Sequence, residues 1–344
     1  MTSAPAADSP PSDSAATGSA PSGSAATGRR VLLPPRRPGG GGSAQTPHRA
    51  GRTHRWWGTP WLFLVLGLTV TLLFVLFPFL NTVVLAFTDA TMVRGGRFIG
   101  LGNFARLAED HRFWTALLNS SLYVVCVVPV MVVLPLLLAC LVSRPGRFVG
   151  MFRTAYYMPV VMSAVVVGLI WTNLLDSRGL VNELLSWLHL VSSPVPFVTD
   201  RWLLLFSAMF VTVWTGLGYY MVIYVAALAN VSPVLYDAAA VDGAGPVRTF
   251  LSVTVPGVRG TMALVGVLSS VAAFRVFSEI YVLSGNTGGP GGEDLTMTML
   301  IQREGTGLTA RTGYAAAVSV VMFLITLGML LVQLRLQRRE GDAE

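Results

Sequence analysis

Residues 236–256 read YDAAAVDGAGPVRTFLSVTVP. The stretch is poor in charge, punctuated by Ala and Gly, and bounded on both sides by long apolar runs. Its local physics predicts two short helices joined by a turn. Ser232-Pro233 is a helix start, with Ser as cap and Pro at the first helical position, where its missing N–H is not needed. Tyr236 to Val241 continues the helix with good formers. Asp242-Gly243 breaks it, since Gly enters the left-handed region without steric cost. Pro246 suits the start of a second helix carrying Val247, Phe250 and Leu251 on an apolar side. Pro256 is expected to end that element. The small residues Ala238, Ala239, Ala240 and Ala244 allow another surface to come close. A docking piece fits this stretch better than a plain connector.

The surrounding chain says where such a piece would sit. Of its 344 residues, 53% are hydrophobic and 12% charged, which places it in the membrane class. Six apolar segments run roughly over 61–87, 114–142, 155–175, 202–229, 261–283 and 313–334. Each is long enough to cross a bilayer as a helix of about 20 residues. The expected fold is therefore an all-α membrane protein with six transmembrane helices. Pro78, Pro129 and Pro135 fall inside spans and are expected to kink them. Trp56, Trp57, Trp61, Trp114 and Trp202 lie near span ends, where indole prefers the interface.

Residues 1–55 are rich in Ser, Ala, Gly and Pro, with the near-repeat SAATGSAPSGSAATG at 14–28. They read as a disordered cytoplasmic tail. The six-helix domain then covers 56–335, with a cytoplasmic loop at 230–260 and a cytoplasmic tail at 336–344. Arg placement supports this orientation. With the N-terminus inside, the inner segments hold 15 Arg and the outer ones eight, and Arg275 lies within a span.

All 24 basic residues are Arg. Without Lys the chain contains neither a Walker-type phosphate loop nor a pyridoxal Schiff base, so any ATP-driven step must use a nucleotide held by another polypeptide. The net charge of +7 reflects membrane orientation rather than nucleic-acid binding. Cys126 and Cys140 are separated by 14 residues of one apolar segment, about 21 Å along a helix, and cannot pair with each other. His48, His54, His111 and His189 are scattered and form no metal-binding pattern.

At Asp237-Ala238-Ala239, Gly243 and Val253-Thr254-Val255-Pro256 the chain resembles the membrane permease subunits of binding-protein-dependent ABC importers. The signature of that family is Glu-Ala-Ala, three residues, Gly, nine residues, Ile, any residue, Leu-Pro. The spacing holds here, with Asp237 for Glu, Val253 for Ile and Val255 for Leu. The resemblance extends over about 60–335, through LGNFARLAEDHRFWTALLNS, RTAYYMPVVMSAVVVGLIW and ALANVSPVLYDAAAVDGA. Phe274, Phe277, Ile280 and Tyr281, followed by Gly288-Gly289-Pro290, resemble the sugar-importer branch that includes maltose and glycerol-phosphate permeases.

The resemblance implies a type I importer permease core in a bacterial inner or plasma membrane. It implies a second permease, related or identical, around a shared pathway. It further implies a cytoplasmic P-loop ATPase dimer that holds ATP and Mg, and an external solute-binding protein. Gly243 would be the turn of the coupling loop, and Asp237 a polar contact. Ala238, Ala239, Ala244 and Phe250 would be packing surfaces, and Pro256 would close the motif. The chain itself would be no enzyme and would hold no cofactor or metal.

Pathway candidates come from polar and aromatic residues inside spans. Arg275 and Glu279 are four apart, which permits a same-face pair. Two readings stand for them: a pathway-lining pair touching a polar solute, or a neutralised pair locking helices. Asn173, Trp171, Trp214, Tyr219 and Tyr220 could supply the aromatic faces and polar edges that a sugar requires. GNTGGPGGED at 285–294 lacks Lys and ends in two acids, so it reads as a flexible outer turn rather than a phosphate loop. The rival readings are an ATP-independent transporter or channel and a membrane-embedded enzyme. The latter would need clustered catalytic groups beyond Arg275 and Glu279.

Overall fold

The computed structural model describes residues 58–143, 146–147 and 149–341. The expected tail at 1–55, the anchors Trp56 and Trp57, and the last three residues of the 336–344 tail lie outside the described residues. Within them every regular element is a helix, apart from one isolated β-bridge between Thr88 and Phe98.

The first crossing is α1 (Gly58–Thr71), a π-turn (Leu72–Leu76) and α2 (Phe77–Leu85). A short outer helix, α3 (Gly102–Glu109), leads into the long second crossing, α4 (His111–Ser143). Next come α5 (Val149–Tyr157), a 3₁₀ turn (Met158–Val161), α6 (Ala164–Leu175) and the outer helix α7 (Leu180–Trp187). The fourth crossing is α8 (Arg201–Leu228), followed by the loop helices α9 (Pro233–Val241) and α10 (Pro246–Thr249). A second π-turn (Phe250–Thr254) joins α10 to α11 (Val255–Phe274), and α12 (Ser278–Leu283) follows after a break. The chain ends with α13 (Met297–Gly305) and α14 (Thr312–Gly341).

Six helical stretches are long and apolar enough to span a membrane: Leu64–Leu85, His111–Ser143, Ala164–Trp187, Arg201–Leu228, Pro246–Leu283 and Thr312–Gln337. Their number and order agree with the sequence reading; the third and fifth differ in form. The expected straight span at 155–175 is broken, because Pro159 enters a 3₁₀ turn and Met162 and Ser163 are extended before α6 starts. The expected span at 261–283 begins 15 residues earlier, at Pro246, and breaks near its other end. Arg275 leaves helical geometry (φ −97°, ψ 14°), and so does Phe277 (φ −141°, ψ −59°).

The prolines behave in three ways. Pro129 and Pro135 lie inside α4, which stays one helix. Proline clashes with the carbonyl four residues back and weakens the bonds beside it. In the turn opened by Pro135, the Tyr224 hydroxyl donates to the Val132 carbonyl at 2.9 Å. Pro78 and Pro256 each stand two residues beyond a π-turn. The carbonyl each ring would strike lies inside that widened turn, so the helix passes through the proline. Pro256 therefore does not end the second loop helix, as the sequence reading expected; it sits in the first turn of α11.

The core is built around α4, which packs on α8 and α11. Tyr123, Met131, Leu136 and Ala139 of α4 meet Leu204, Ala208 and Val211 of α8 and Val265 of α11, all buried. Hydrocarbon outside is as apolar as these side chains, so close packing and interhelical hydrogen bonds hold the helices together. Small residues allow the closest approach. A Cβ on Gly218 of α8 would collide with the backbone carbonyl of Tyr156 at the end of α5. Gln333 of α14 donates to the Ser270 hydroxyl of α11 at 2.7 Å.

The outer segment between α12 and α13 is firmly anchored. Asn119 of α4 donates to the carbonyls of Glu293 (2.7 Å) and Leu295 (2.9 Å), and the Met297 amide donates to Ser120 Oγ (3.0 Å). Thr296 donates to the Val276 carbonyl at 3.0 Å, satisfying a group freed by the break in the fifth crossing. The glycine run expected to be a flexible turn is a specific fold, with Gly288, Gly289, Gly291 and Gly292 all at positive φ. A Cβ on Gly289 would strike the Asp294 carboxylate.

Asp294 is fully buried, and neither of its carboxylate oxygens has a hydrogen-bond partner. Burial pushes its carboxyl up to about 7; Arg201 pulls the other way, and Glu293 and Asp200 push it further up. The folded state thus holds the proton more tightly than the unfolded chain, whose aspartate titrates near about 3.9. The stability this proton contributes is complete below that value and is lost as pH rises through about 7. Amide exchange over 285–296, corrected for intrinsic rates, should show less protection at pH 8 than at pH 5.5. Asp294→Asn should hold the higher protection at both.

Candidate functional site

Two regions gather the residues singled out above. The first is the loop at 230–260, between the fourth and fifth crossings. Pro233 occupies the first turn of α9, as expected, but the Ser232 side chain makes no capping bond. The helix ends in a Schellman turn: the Ala244 amide donates to the Ala239 carbonyl (2.9 Å), and the Gly243 amide to the Ala240 carbonyl (3.1 Å). Gly243 is at φ +71°, and a Cβ there would meet nothing within 4 Å. Backbone conformation, not crowding within the chain, therefore explains the glycine.

The loop residues do not share one surface. Asp237 and Ala238 are exposed, whereas Ala239 is buried. Ala244 and Phe250 are half-buried, and Phe250 packs on the core. Pro256 is exposed. The outward face adds Val234, Val241 and Val247, each at least 70% exposed. Sequence reasoning placed Val247 on one apolar side with Phe250 and Leu251, whereas Val247 and Leu251 are exposed and Phe250 packs inward; it passed over Val234 and Val241, because a helix of nine residues has too few turns to separate an exposed apolar face from a buried one. A cleft of about 670 Å³ lies behind α9 and α10, bordered by Tyr236, Ala240, Phe250, Ser143 and Leu228. Across it Tyr236 Oη and Thr254 Oγ1 are 3.2 Å apart and hydrogen-bonded, tying α9 to the second π-turn.

The second region lies where the two broken crossings meet. A cavity of about 280 Å³ is lined by Pro159 and Met162 of the third crossing, Thr215, Tyr219 and Tyr220 of α8, and Glu279 of α12. Irregular backbone at membrane depth persists where it is buried in protein or lines a cavity, and here it lines one. Tyr219 is half-exposed, and its ring stands against Tyr220 with centroids 5.1 Å apart. Behind Glu279, Thr212 lies within hydrogen-bonding reach, and Thr212 Oγ1 is 2.6 Å from the buried Tyr123 Oη. Tyr123 and Thr212 went unnoticed in the sequence, although a tyrosine and a threonine in mid-span were visible there.

The remaining candidates lie elsewhere. Asn173 is exposed on α6, borders a different groove, and spends its amide on the Leu169 carbonyl of its own helix (2.8 Å). Trp214 packs edge-on against Trp171 at 5.5 Å, and Trp171 against Phe210 at 5.2 Å, an aromatic cluster beside the cavity rather than in its lining. Arg275 and Glu279 form no ion pair. The spacing of four brings side chains together only on an unbroken helix, and this one breaks at Arg275. Arg275 is exposed, whereas Glu279 turns into the cavity.

Comparison with known proteins follows from this architecture. Residues 98–341 match the family described as "Binding-protein-dependent transport system inner membrane component". The chain belongs to that family. The permease is 31% identical over 267 residues to the lactose transport system permease protein LacF of Rhizobium radiobacter, covering 77% of this chain and 89% of that one. It is also 31% identical to the arabinooligosaccharides transport system permease protein AraP of Halalkalibacterium halodurans, covering 77% and 84%. A chain of a bacterial alginate ABC transporter, solved in complex with an alginate pentasaccharide-bound periplasmic protein, shares the permease's fold. The TM-score is 0.72 at 24% identity, over 82% of this chain and 94% of that one. The permease is thus the membrane component of a binding-protein-dependent transport system.

The Schellman turn yields a direct test. Gly243→Val forces a β-branched residue into the left-handed region, at about 1–2 kcal/mol or more. Amide exchange over 237–249 should rise several-fold, whereas Gly243→Asn, which tolerates that region, should leave it near wild type.

Proposed function

We propose that this permease forms one half of the pathway of an ATP-driven importer for a sugar or oligosaccharide. The observation that carries the reading is the agreement among its relatives. Permeases named for lactose, arabinooligosaccharides and, in Streptomyces coelicolor, diacetylchitobiose are each 31% identical over at least 77% of the chain. The cavity suits such a solute. Tyr219 and Tyr220 offer ring faces to the C–H side of a pyranose, and Glu279 offers an acceptor to its hydroxyls.

In this reading both termini face the cytoplasm, which agrees with the Arg distribution. A second permease, related or identical, completes the pathway, and an external binding protein delivers the solute. A cytoplasmic ATPase dimer holds ATP and Mg, and its docking surface is Asp237 and Ala238 with the valine patch, set by the turn at Gly243. Ala239, Ala244, Phe250 and Pro256 act behind that surface. Because Pro256 does not interrupt the helix, α10, the π-turn and α11 make one rod from Pro246 to Phe274, roughly 40 Å long at 1.5 Å per residue. ATP-driven closure would push α9, and the Tyr236–Thr254 contact would pass the push to this rod, which ends one short break away from Glu279.

Gentle extraction of the tagged permease from its native membrane should recover a P-loop ATPase, a second permease and a solute-binding protein. Uptake of the saccharide held by that binding protein should fall at least tenfold with Gly243→Val and recover with Gly243→Asn. Reproducible recovery of the permease alone, with ATP-independent uptake, would overturn the reading in favour of a secondary transporter. For the cavity, Glu279→Gln should lower the uptake rate several-fold, and Asn173→Ala should leave it unchanged. Equal rates for Glu279→Gln and wild type would remove Glu279 from the pathway.

A further inference from the structure

The segment between the third and fourth crossings carries a surface that the transport reading does not use. It is held rigidly. A Cβ on Gly179 would collide with the carbonyls of Asn173 and Leu174, so α7 folds back directly onto the end of α6. Asn182, 3% exposed, donates to the carbonyls of Asp176 and Val195, both at 3.0 Å, and accepts from the Val195 amide at 2.8 Å. The returning chain is thereby pinned to α7.

Held in this way, α7 shows three faces. Val181, Asn182 and Leu185 point inward, and Glu183 and Ser186 form a polar edge. Leu180, Leu184, Trp187 and Leu188 point away from the protein, at 64%, 52%, 74% and 48% exposure. Their spacing of four, three and one is that of a single helical stripe. Water beside such a stripe is unfavourable, and no described residue covers it.

The surroundings identify the cover. The stripe continues onto α6, where Val166, Leu169 and Ile170 are exposed on a helix of the third crossing. Between the two helices runs a groove of about 610 Å³, lined by these three residues and by Leu174 and Leu180, with Arg178 at its outer end. The Arg178 side chain makes no ion pair with a described residue. A largely apolar slot, with Asn173 on its wall, that runs along the exposed face of a crossing and ends at a guanidinium has the chemistry of a phospholipid site: an acyl chain below and a phosphate at the Arg, with the exposed Trp187 at the far end of α7 suited to the headgroup level. We propose that α7 lies flat in the lipid interface and that the groove holds one phospholipid, with its phosphate on Arg178.

The test uses the assembled transporter reconstituted in phosphatidylglycerol and phosphatidylethanolamine bilayers. Cys126→Ala and Cys140→Ala provide a background without other thiols, and a nitroxide is placed at Leu184→Cys, with Leu188→Cys as a second site. Power saturation should show both labels open to oxygen and closed to a water-soluble Ni(II) chelate. Access to the chelate would mean the face is in water, and shielding from both reagents would mean a protein partner covers it; either result overturns the interfacial helix. Native mass spectrometry of the same complex should show one retained phospholipid fewer per chain for Arg178→Gln than for wild type. Equal retention would overturn the headgroup site. Both readings are independent of the transported solute and of which side of the membrane α7 occupies, so their failure is distinct from failure of the importer assignment.

Discussion

Within a bilayer no water is available to a peptide group, so each N–H and C=O must find its partner in the protein. The rest of this structure follows from that constraint. It makes the crossings helical, and it makes every departure from helix conspicuous. Two prolines are absorbed by π-turns and one is accommodated through a tyrosine hydroxyl from the neighbouring helix. At the outer end of the fifth crossing the Val276 carbonyl, released by the break, is taken up by Thr296 from the outer segment. Where such repairs are incomplete, in the third crossing between Met158 and Ser163, the chain lines a cavity. The site therefore lies where the backbone is irregular, and the irregular backbone is permitted because a site is there.

Most of the architecture could be read from the residues. Long apolar runs set the number and order of the crossings, and Pro233, Gly243 and Pro246 set the two short helices and the turn of the loop between the fourth and fifth. Hydropathy could not show the breaks at 158–163 and 275–277, because it registers what a residue is rather than its φ and ψ. Pro129 and Pro135 are embedded in the same kind of apolar sequence as Pro159, yet only Pro159 leaves the α-helix. The same limit separated Arg275 from Glu279. A spacing of four is a contact only if the helix between is intact. The burial of Asp294 had no local signal at all, since it depends on glycines five positions before it and on Asn119 of another crossing.

The candidate residues divide by the same logic. Asn173 and Trp214 had the right chemistry for a saccharide, but each is engaged on its own helix or in its own aromatic cluster. Tyr219, Tyr220 and Glu279 come together because α8 and the outer part of the fifth crossing both border the break in the third. Tyr123 and Thr212 extend that set from behind, forming a polar chain across α4, α8 and α12. The loop at 230–260 and the break that precedes Glu279 are linked by one uninterrupted run of helix. A motif that ended at Pro256, as its proline suggests, would lack that link.

The contact at Gly218 has a mechanical meaning. Here the backbone of α8 touches the backbone of Tyr156, and no side chain lies between them to change rotamer and let one element slide past the other. The inner half of the third crossing must then travel with the fourth as one rigid lever. The extended residues Met162 and Ser163 separate this lever from α6, which is held differently: its Trp171 packs on Phe210 and Trp214 through rings, and its Gly168 lies against the Val282 side chain of α12. Side chains that can change rotamer therefore line the α6 contacts, whereas the wall carrying Tyr219 and Tyr220 is fixed backbone to backbone.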